Sequence, residues 1–124
     1  MTATPMSVTH ARAAAEAAFD KLATSVTVID VSERLPFTDI FVIASGETPR
    51  QVRAIVDAID EALGKVGVDR IRREGFEGEA RWVLADYGDV IVHVQHDEER
   101  DFYALDRLWA DCPTIDVSDL EENH

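Results

Sequence analysis

Apolar residues recur at helical spacing near the start of the chain: Val8, Ala11, Ala15, Ala18, Phe19 and Leu22 share one side of a helix. The alanines among them have high helix propensity and allow close packing against a core. The β-branched run TSVTVIDV, Thr24 to Val31, reads as a strand. After the turn SERLP, the segment TDIFVIAS, Thr38 to Ser45, is apolar almost without interruption. That is the pattern of a strand covered on both faces, and Gly46 ends it. A helix start follows, with Thr48 as N-cap, Pro49 in the first turn and Gln51 as capping-box partner. Val52, Ile55, Val56, Ile59 and Leu63 form its buried stripe, and Gly64 and Gly67 end it.

The second half is richer in strands. DRIRREG predicts a short strand entering a loop broken by Gly75 and Gly78. ARWVLAD and DVIVHV predict two strands joined by Tyr87-Gly88, a two-residue connection suited to a tight hairpin. A last helix is predicted over Asp97 to Asp111, with Asp97 as N-cap and Pro113 as the stop. The order α-β-β-α-β-β-β-α predicts a single α/β domain with a mixed β-sheet and flanking helices. Residues 1–6 are expected to be a loose N-terminus, 7–112 the folded domain, and 113–124 an acidic, mobile tail. No internal repeat and no long linker divides the chain.

Composition narrows the classes of function. The 124 residues suit one domain with one core. No apolar run approaches the roughly 20 residues of a membrane span, and the N-terminal segment has no secretory leader pattern. The single Cys112 excludes an internal disulfide framework, which fits a reducing, cytoplasmic setting. The net charge is -13, whereas nucleic-acid binders carry a basic footprint. The charge is uneven: from Asp86 to the end there are 12 acids and 2 bases. Such a segment either keeps a surface solvated or speeds docking to a basic partner.

The stretch DYGDVIVHVQHDEERDFYALDRLW, Asp86 to Trp109, holds the candidate chemistry. As metal ligands, His93 and His96 are badly spaced, because strand residues three apart face opposite sides. As a nucleotidyl-transfer site, an i, i+2 carboxylate pair on a strand is needed to hold metal ions near phosphate. Asp86 and Asp89 are three apart and are expected to face each other across the hairpin, with a cation or donor between them, either an internal Arg such as Arg81 or a partner's Lys. The phosphate-cradling motifs G-x-x-x-x-G-K-[ST] and G-x-G-x-x-G are absent. Cys112 sits among acids that raise its pKa, and Ser45 has no relay of His and acid. No catalytic residue, metal site or cofactor is therefore assigned.

Recognition fits the same stretch better. On a helical wheel Leu105, Trp109, Phe102, Leu108 and Cys112 are expected to face the core. Tyr103 falls on the other side with Arg100 and Arg107, a composition typical of binding hot spots. Trp82 on the hairpin is either a core residue or an anchor, depending on what covers its face.

TDIFVIASGETPRQVRAIVDAI, then EG, then RWVLADYGDVIVHVQHDEERDFYALDRLW together resemble the ribosomal silencing factor family, also called the Iojap family. The resemblance runs from about residue 10 to 110. Asp106 and Gln95 depart from it, standing where Glu and an apolar residue are usual. The resemblance implies a nucleotidyltransferase-like fold without catalytic residues. It also implies binding to the large ribosomal subunit through ribosomal protein L-fourteen. That would block joining of the subunits and lower translation under nutrient limitation. It further implies homodimers and a role in large-subunit assembly. The hairpin and last helix then become the expected docking surface, with Trp82, Asp86, Asp89, Arg100, Tyr103 and Trp109 as candidates. The competing classes are a nucleotidyltransferase-like enzyme with residual nucleotide or metal activity, and a plain dimerisation module.

Overall fold

The computed structural model describes residues 2–124. The first helix, α1 (Pro5–Asp20), starts inside the segment expected to be loose, because Thr4 caps it by accepting a hydrogen bond from the Ser7 amide. Strands β1 (Ser25–Asp30) and β2 (Ile40–Gly46) follow, then helix α2 (Pro49–Lys65) and strands β3 (Arg72–Glu74), β4 (Trp82–Asp86) and β5 (Val90–His96). Three short helices close the chain: α3 (Asp97–Tyr103), α4 (Leu105–Leu108) and α5 (Ser118–Glu122).

The five strands lie in the order β1-β2-β5-β4-β3. Only β2 and β5 pair in parallel; the other neighbours are antiparallel, so the sheet is mixed, as the pattern predicts. Every residue of β2 and all of β5 except His96 are buried. The apolar runs thus mark the two central strands, which are covered on both sides.

One face of the sheet carries α1 and α2. The stripe predicted for α2, Val52, Ile55, Val56, Ile59 and Leu63, is buried, and Thr48 caps the helix at the Gln51 amide. For the return bond, the Glu47 amide, one residue before the cap, donates to Gln51 Oε1 (2.7 Å). Gly64 lies within the helix, and Gly67, at φ +82°, turns the chain after it. The main core lies between these helices and the sheet, and includes Ala11, Ala15, Val42, Val92 and Val94.

The opposite, open face follows from the strand register. One row across it runs Ile29, Phe41, Ile91, Asp86, Arg72; the next runs Thr27, Ile43, His93, Leu84, Glu74; a third runs Ser25, Ser45, Gln95, Trp82. A smaller cluster of Ile29, Val31, Phe41, Ile43, Ile91 and Leu105 packs there.

The expectation of a mobile tail needs correction. The tail is docked: the Asp30 amide donates to the Pro113 carbonyl and the Ile115 amide to the Val28 carbonyl, both at 2.8 Å. This covers the free edge of β1, which would otherwise present unpaired backbone groups. Val117 and Leu120 bury against the main core, and Arg12 of α1 bonds the Asp116 carbonyl and the Asp119 carboxylate. The acidic composition hid these anchors, since two apolar residues among polar ones carry no periodicity.

The hairpin turn is also shifted by one residue. Asp86 pairs with Ile91, and Tyr87 N donates to Val90 O, so Gly88 and Asp89 make the turn. Gly88 takes φ +92°, where glycine pays no steric penalty. Tyr87 is instead a core residue, and its hydroxyl donates to Asp60 of α2 (3.0 Å).

Gln95 stands out on the open face. It is fully buried, yet neither Oε1 nor Nε2 has a partner. A buried polar group without a hydrogen bond costs about 1–3 kcal/mol. Gln95→Met, of similar volume, is therefore expected to stabilise the protein by roughly that amount, read as a higher urea midpoint; a lower midpoint would mean that Gln95 is hydrogen-bonded in solution.

Candidate functional site

The site candidates sit at two ends of the β4–β5 hairpin. Trp82 pairs with Gln95 at one end, and Asp86 pairs with Ile91 at the other. Four residues of strand, about 13 Å at roughly 3.3 Å each, separate them.

At the turn end, the two aspartates do not face each other across the ladder, and Arg81 is not between them. Asp86 accepts the Gly88 amide (2.8 Å) and lies 3.5 Å from Arg72. Asp89 contacts His10 Nδ1 at 2.8 Å, which ties the turn to α1. Its carbonyl accepts from the amides of Asp39 and Ile40 (3.0 and 3.1 Å). Asp39 in turn accepts from Ser7 Oγ (2.8 Å) and the Thr4 amide (3.2 Å). These carboxylates fasten helix α1 to the sheet. Among the described residues, no three His, Cys, Asp or Glu side chains converge as metal ligands.

At the other end, the chain leaves β5 through His96, whose Nδ1 accepts the Glu98 amide (3.2 Å) and caps α3. Asp97, expected to be the cap, is the first helical residue. The predicted single helix is broken at Ala104, which adopts φ +46°, an unfavourable left-handed conformation for alanine. The break turns Leu105 into the open-face cluster and changes the faces of the helical wheel. Phe102 and Leu108, expected in the core, are 81% and 67% exposed. Periodicity on a straight helix assigns them wrongly because a left-handed residue resets the phase.

Arg100 bridges the break. Its Nη1 donates to Asp106 (2.7 Å) and its Nη2 to Thr27 Oγ1 on the sheet (3.2 Å). The bond from Arg100 holds the Asp106 carboxyl below its ordinary pKa. Arg81 fixes the start of α3 by donating to Glu99 (2.7 Å), and that bond raises the guanidinium pKa. Glu98 lies 3.7 Å from the same guanidinium.

Aromatic side chains gather on this end. Trp82, half-buried, lies 4.8 Å from Tyr103 between ring centroids, and Tyr103 meets Phe102 edge-on at 4.9 Å. Trp82 Nε1 donates to His93 Nδ1 at 3.2 Å. His93 is buried against Phe41, and Trp109 packs edge-on against the same phenylalanine at 5.3 Å, with Arg34 over its outer ring. His93 and His96 diverge, as their spacing predicts: one faces the sheet cluster and the other caps α3. Burial pushes the His93 pKa down to about 4, and its Nε2 has no partner. Cys112 is a free thiol whose pKa is raised, first by burial and then by Asp111.

The fold and this site define an α/β protein with an exposed aromatic surface in an acidic setting. A family model described as "Ribosomal silencing factor during starvation" matches residues 4–124, including the docked tail. The chain is 41% identical over 104 residues to Ribosomal silencing factor RsfS of Bacillus subtilis, covering 84% of this chain and 87% of that protein. It resembles a crystal structure of a Chromobacterium violaceum protein with a TM-score of 0.78 at 34% identity, covering 82% of this chain and 83% of that one. A more distant relative, 29% identical over 91 residues, is Mitochondrial assembly of ribosomal large subunit protein 1 of Mus musculus; the match covers 71% of this chain and 40% of that protein. The chain belongs to the ribosomal silencing factor family.

The buried histidine makes a pH prediction. His93 is held neutral in the fold but titrates near about 6.5 when unfolded. Its contribution to stability is complete above that value and is lost as pH falls toward about 4. The pKa of His124 is raised, first by its bond to the Leu120 carbonyl and then by Asp20, so its smaller, exposed contribution has the opposite sign. Urea midpoints are expected to fall between about pH 7 and about pH 4.5, and His93→Phe to flatten much of that fall.

Proposed function

We propose that this protein is a translational repressor that docks on the large ribosomal subunit through ribosomal protein L-fourteen. Bound there, it blocks joining of the small subunit by occupancy and bulk, and lowers translation under nutrient limitation. In this proposal it acts in the cytoplasm and forms homodimers, and no cofactor is assigned to it. The observation that carries the reading is the exposed pair Phe102 and Tyr103 on acidic α3, in contact with half-buried Trp82, with Leu108 of α4 also exposed. Aromatic residues inside a charged rim are the usual anchors of a protein interface. Asp97, Glu98, Glu99, Asp101 and Asp106 supply negative charge around them, which suits a basic ribosomal protein. The absence of both an i, i+2 carboxylate pair on β4 or β5 and a phosphate-cradling loop favours binding over catalysis. Membership of the ribosomal silencing factor family supports the same choice. The large subunit as target also agrees with the name of the mouse relative, which further suggests a part in subunit assembly.

In this reading Trp82 and Tyr103 are the central anchors, joined by Phe102 and Leu108. Arg100 and Trp109 act from beneath: one holds the α3–α4 break, the other supports Phe41. Asp86 and Asp89, at the far end of the hairpin, form an outlying acidic rim.

Co-sedimentation with isolated large subunits, followed by a subunit-joining assay, tests the proposal. Tyr103→Ala and Phe102→Ala are each expected to weaken binding by about tenfold or more while leaving the thermal midpoint within a few degrees. Wild-type affinity in both variants would move the surface elsewhere. The enzyme alternative makes a separate prediction. If a nucleotide site remained, ATP or GTP with magnesium or manganese would raise the melting temperature; no such shift is expected.

A further inference from the structure

We propose that His93 is a positioning residue for the docking surface, and that its Nδ1 fixes the indole of Trp82 and, through it, the rings of Tyr103 and Phe102. This rests on the docking role assigned above to that surface.

Three observations converge on the assignment. An indole N–H can only donate, and Trp82 Nε1 donates to His93 Nδ1 at 3.2 Å. The accepting nitrogen must be unprotonated, which places the proton of the neutral ring on Nε2. The imidazole itself cannot wander, because it is buried on the central strand β5 and meets Phe41 edge-on at 5.0 Å. Trp109 braces Phe41 in turn. A continuous series of rings therefore runs outward: Trp109, Phe41, His93, Trp82, Tyr103, Phe102. Its inner members are packed, and its outer members, Tyr103 and Phe102, are exposed.

The third observation is that the histidine is poorly suited to its own surroundings. It occupies an inward position between Ile43 and Leu84 in the strand register, and its Nε2 is buried without a partner. A phenylalanine or leucine there would bury no polar atom of its own. Among the described residues, the one hydrogen bond that the ring makes is to the tryptophan at the edge of the exposed patch. A rigid anchor loses less freedom when a partner binds, so a fixed indole strengthens docking without touching the partner.

The test compares the wild-type protein with His93→Phe and His93→Asn. The phenylalanine keeps the ring and its packing but removes the acceptor. The asparagine places an oxygen where Nδ1 lies, and so restores it. Three quantities are read: affinity for purified bacterial large ribosomal subunits, the thermal midpoint, and the indole N–H signals in a nitrogen–proton correlation spectrum. The chain has 2 tryptophans, so Trp82→Phe assigns the signal of interest. His93→Phe is expected to keep or raise the midpoint, move the Trp82 indole signal toward that of a solvent-exposed indole, and weaken subunit binding by about tenfold. His93→Asn is expected to recover the signal and most of the affinity. Wild-type affinity in His93→Phe, or binding by His93→Asn as weak as by His93→Phe, would overturn the assignment. If His93→Phe fails to fold, the asparagine variant decides: it must keep both the indole signal and the affinity. If the wild-type protein itself does not bind large subunits, the docking reading fails instead, and the indole signals still report whether His93 holds Trp82.

Discussion

The parallel pairing of β2 with β5 is the constraint on which the rest of the molecule depends. Parallel strands at the centre of a sheet need cover on both faces, and both strands here are almost wholly buried. Helices α1 and α2 cover one face with a conventional aliphatic core. The other face has to be covered by what remains of the chain: the segment after β5 and the loop after β1. That segment is short, acidic and broken at Ala104. It covers the strands with Leu105, Trp109 and the guanidinium of Arg100, and it leaves Phe102, Tyr103 and Leu108 exposed.

The two faces therefore differ in kind. The helical face is built for stability, with interlocking alanines, valines and isoleucines. The open face carries unpaired polar atoms at His93, Gln95, Asp97 and Arg100 among its rings. Each of these is costly where it lies. Their concentration near the exposed aromatic patch suits the docking role proposed for it, because proteins tend to give up local stability at functional sites. The aspartates of the hairpin turn illustrate the converse. They look like chemistry in the sequence, yet Asp89 joins His10 to secure α1, and Asp86 shapes the Gly88 turn.

Several elements were legible in the chain because local signals and the tertiary environment agree. The capped start of α2, its five-residue stripe and the two continuous apolar strands all read correctly. The divergence of His93 and His96 followed from strand geometry alone. The misreadings cluster where long-range contacts overrule local pattern. The last helix is not straight, because the Arg100 bonds to Thr27 and Asp106 tie its two halves to the sheet and to each other. The tail is not loose, because the edge of β1 offers it backbone partners.

The sequence by itself determined the five strands and the two long helices, the mixed α/β class, the acidic character of the last third and membership of the family. The elements and the class depend on periodicity and capping residues, the charge on composition, and the family on its run of matching residues; all of these can be read along the chain. Tertiary structure alone decided which aromatic residues reach solvent. That outcome turns on one left-handed residue at Ala104 and on the tilted ring contact of Tyr103 with Trp82, two residues 21 positions apart. No local pattern encodes such a contact, because it exists only once the sheet register brings β4 beneath α3.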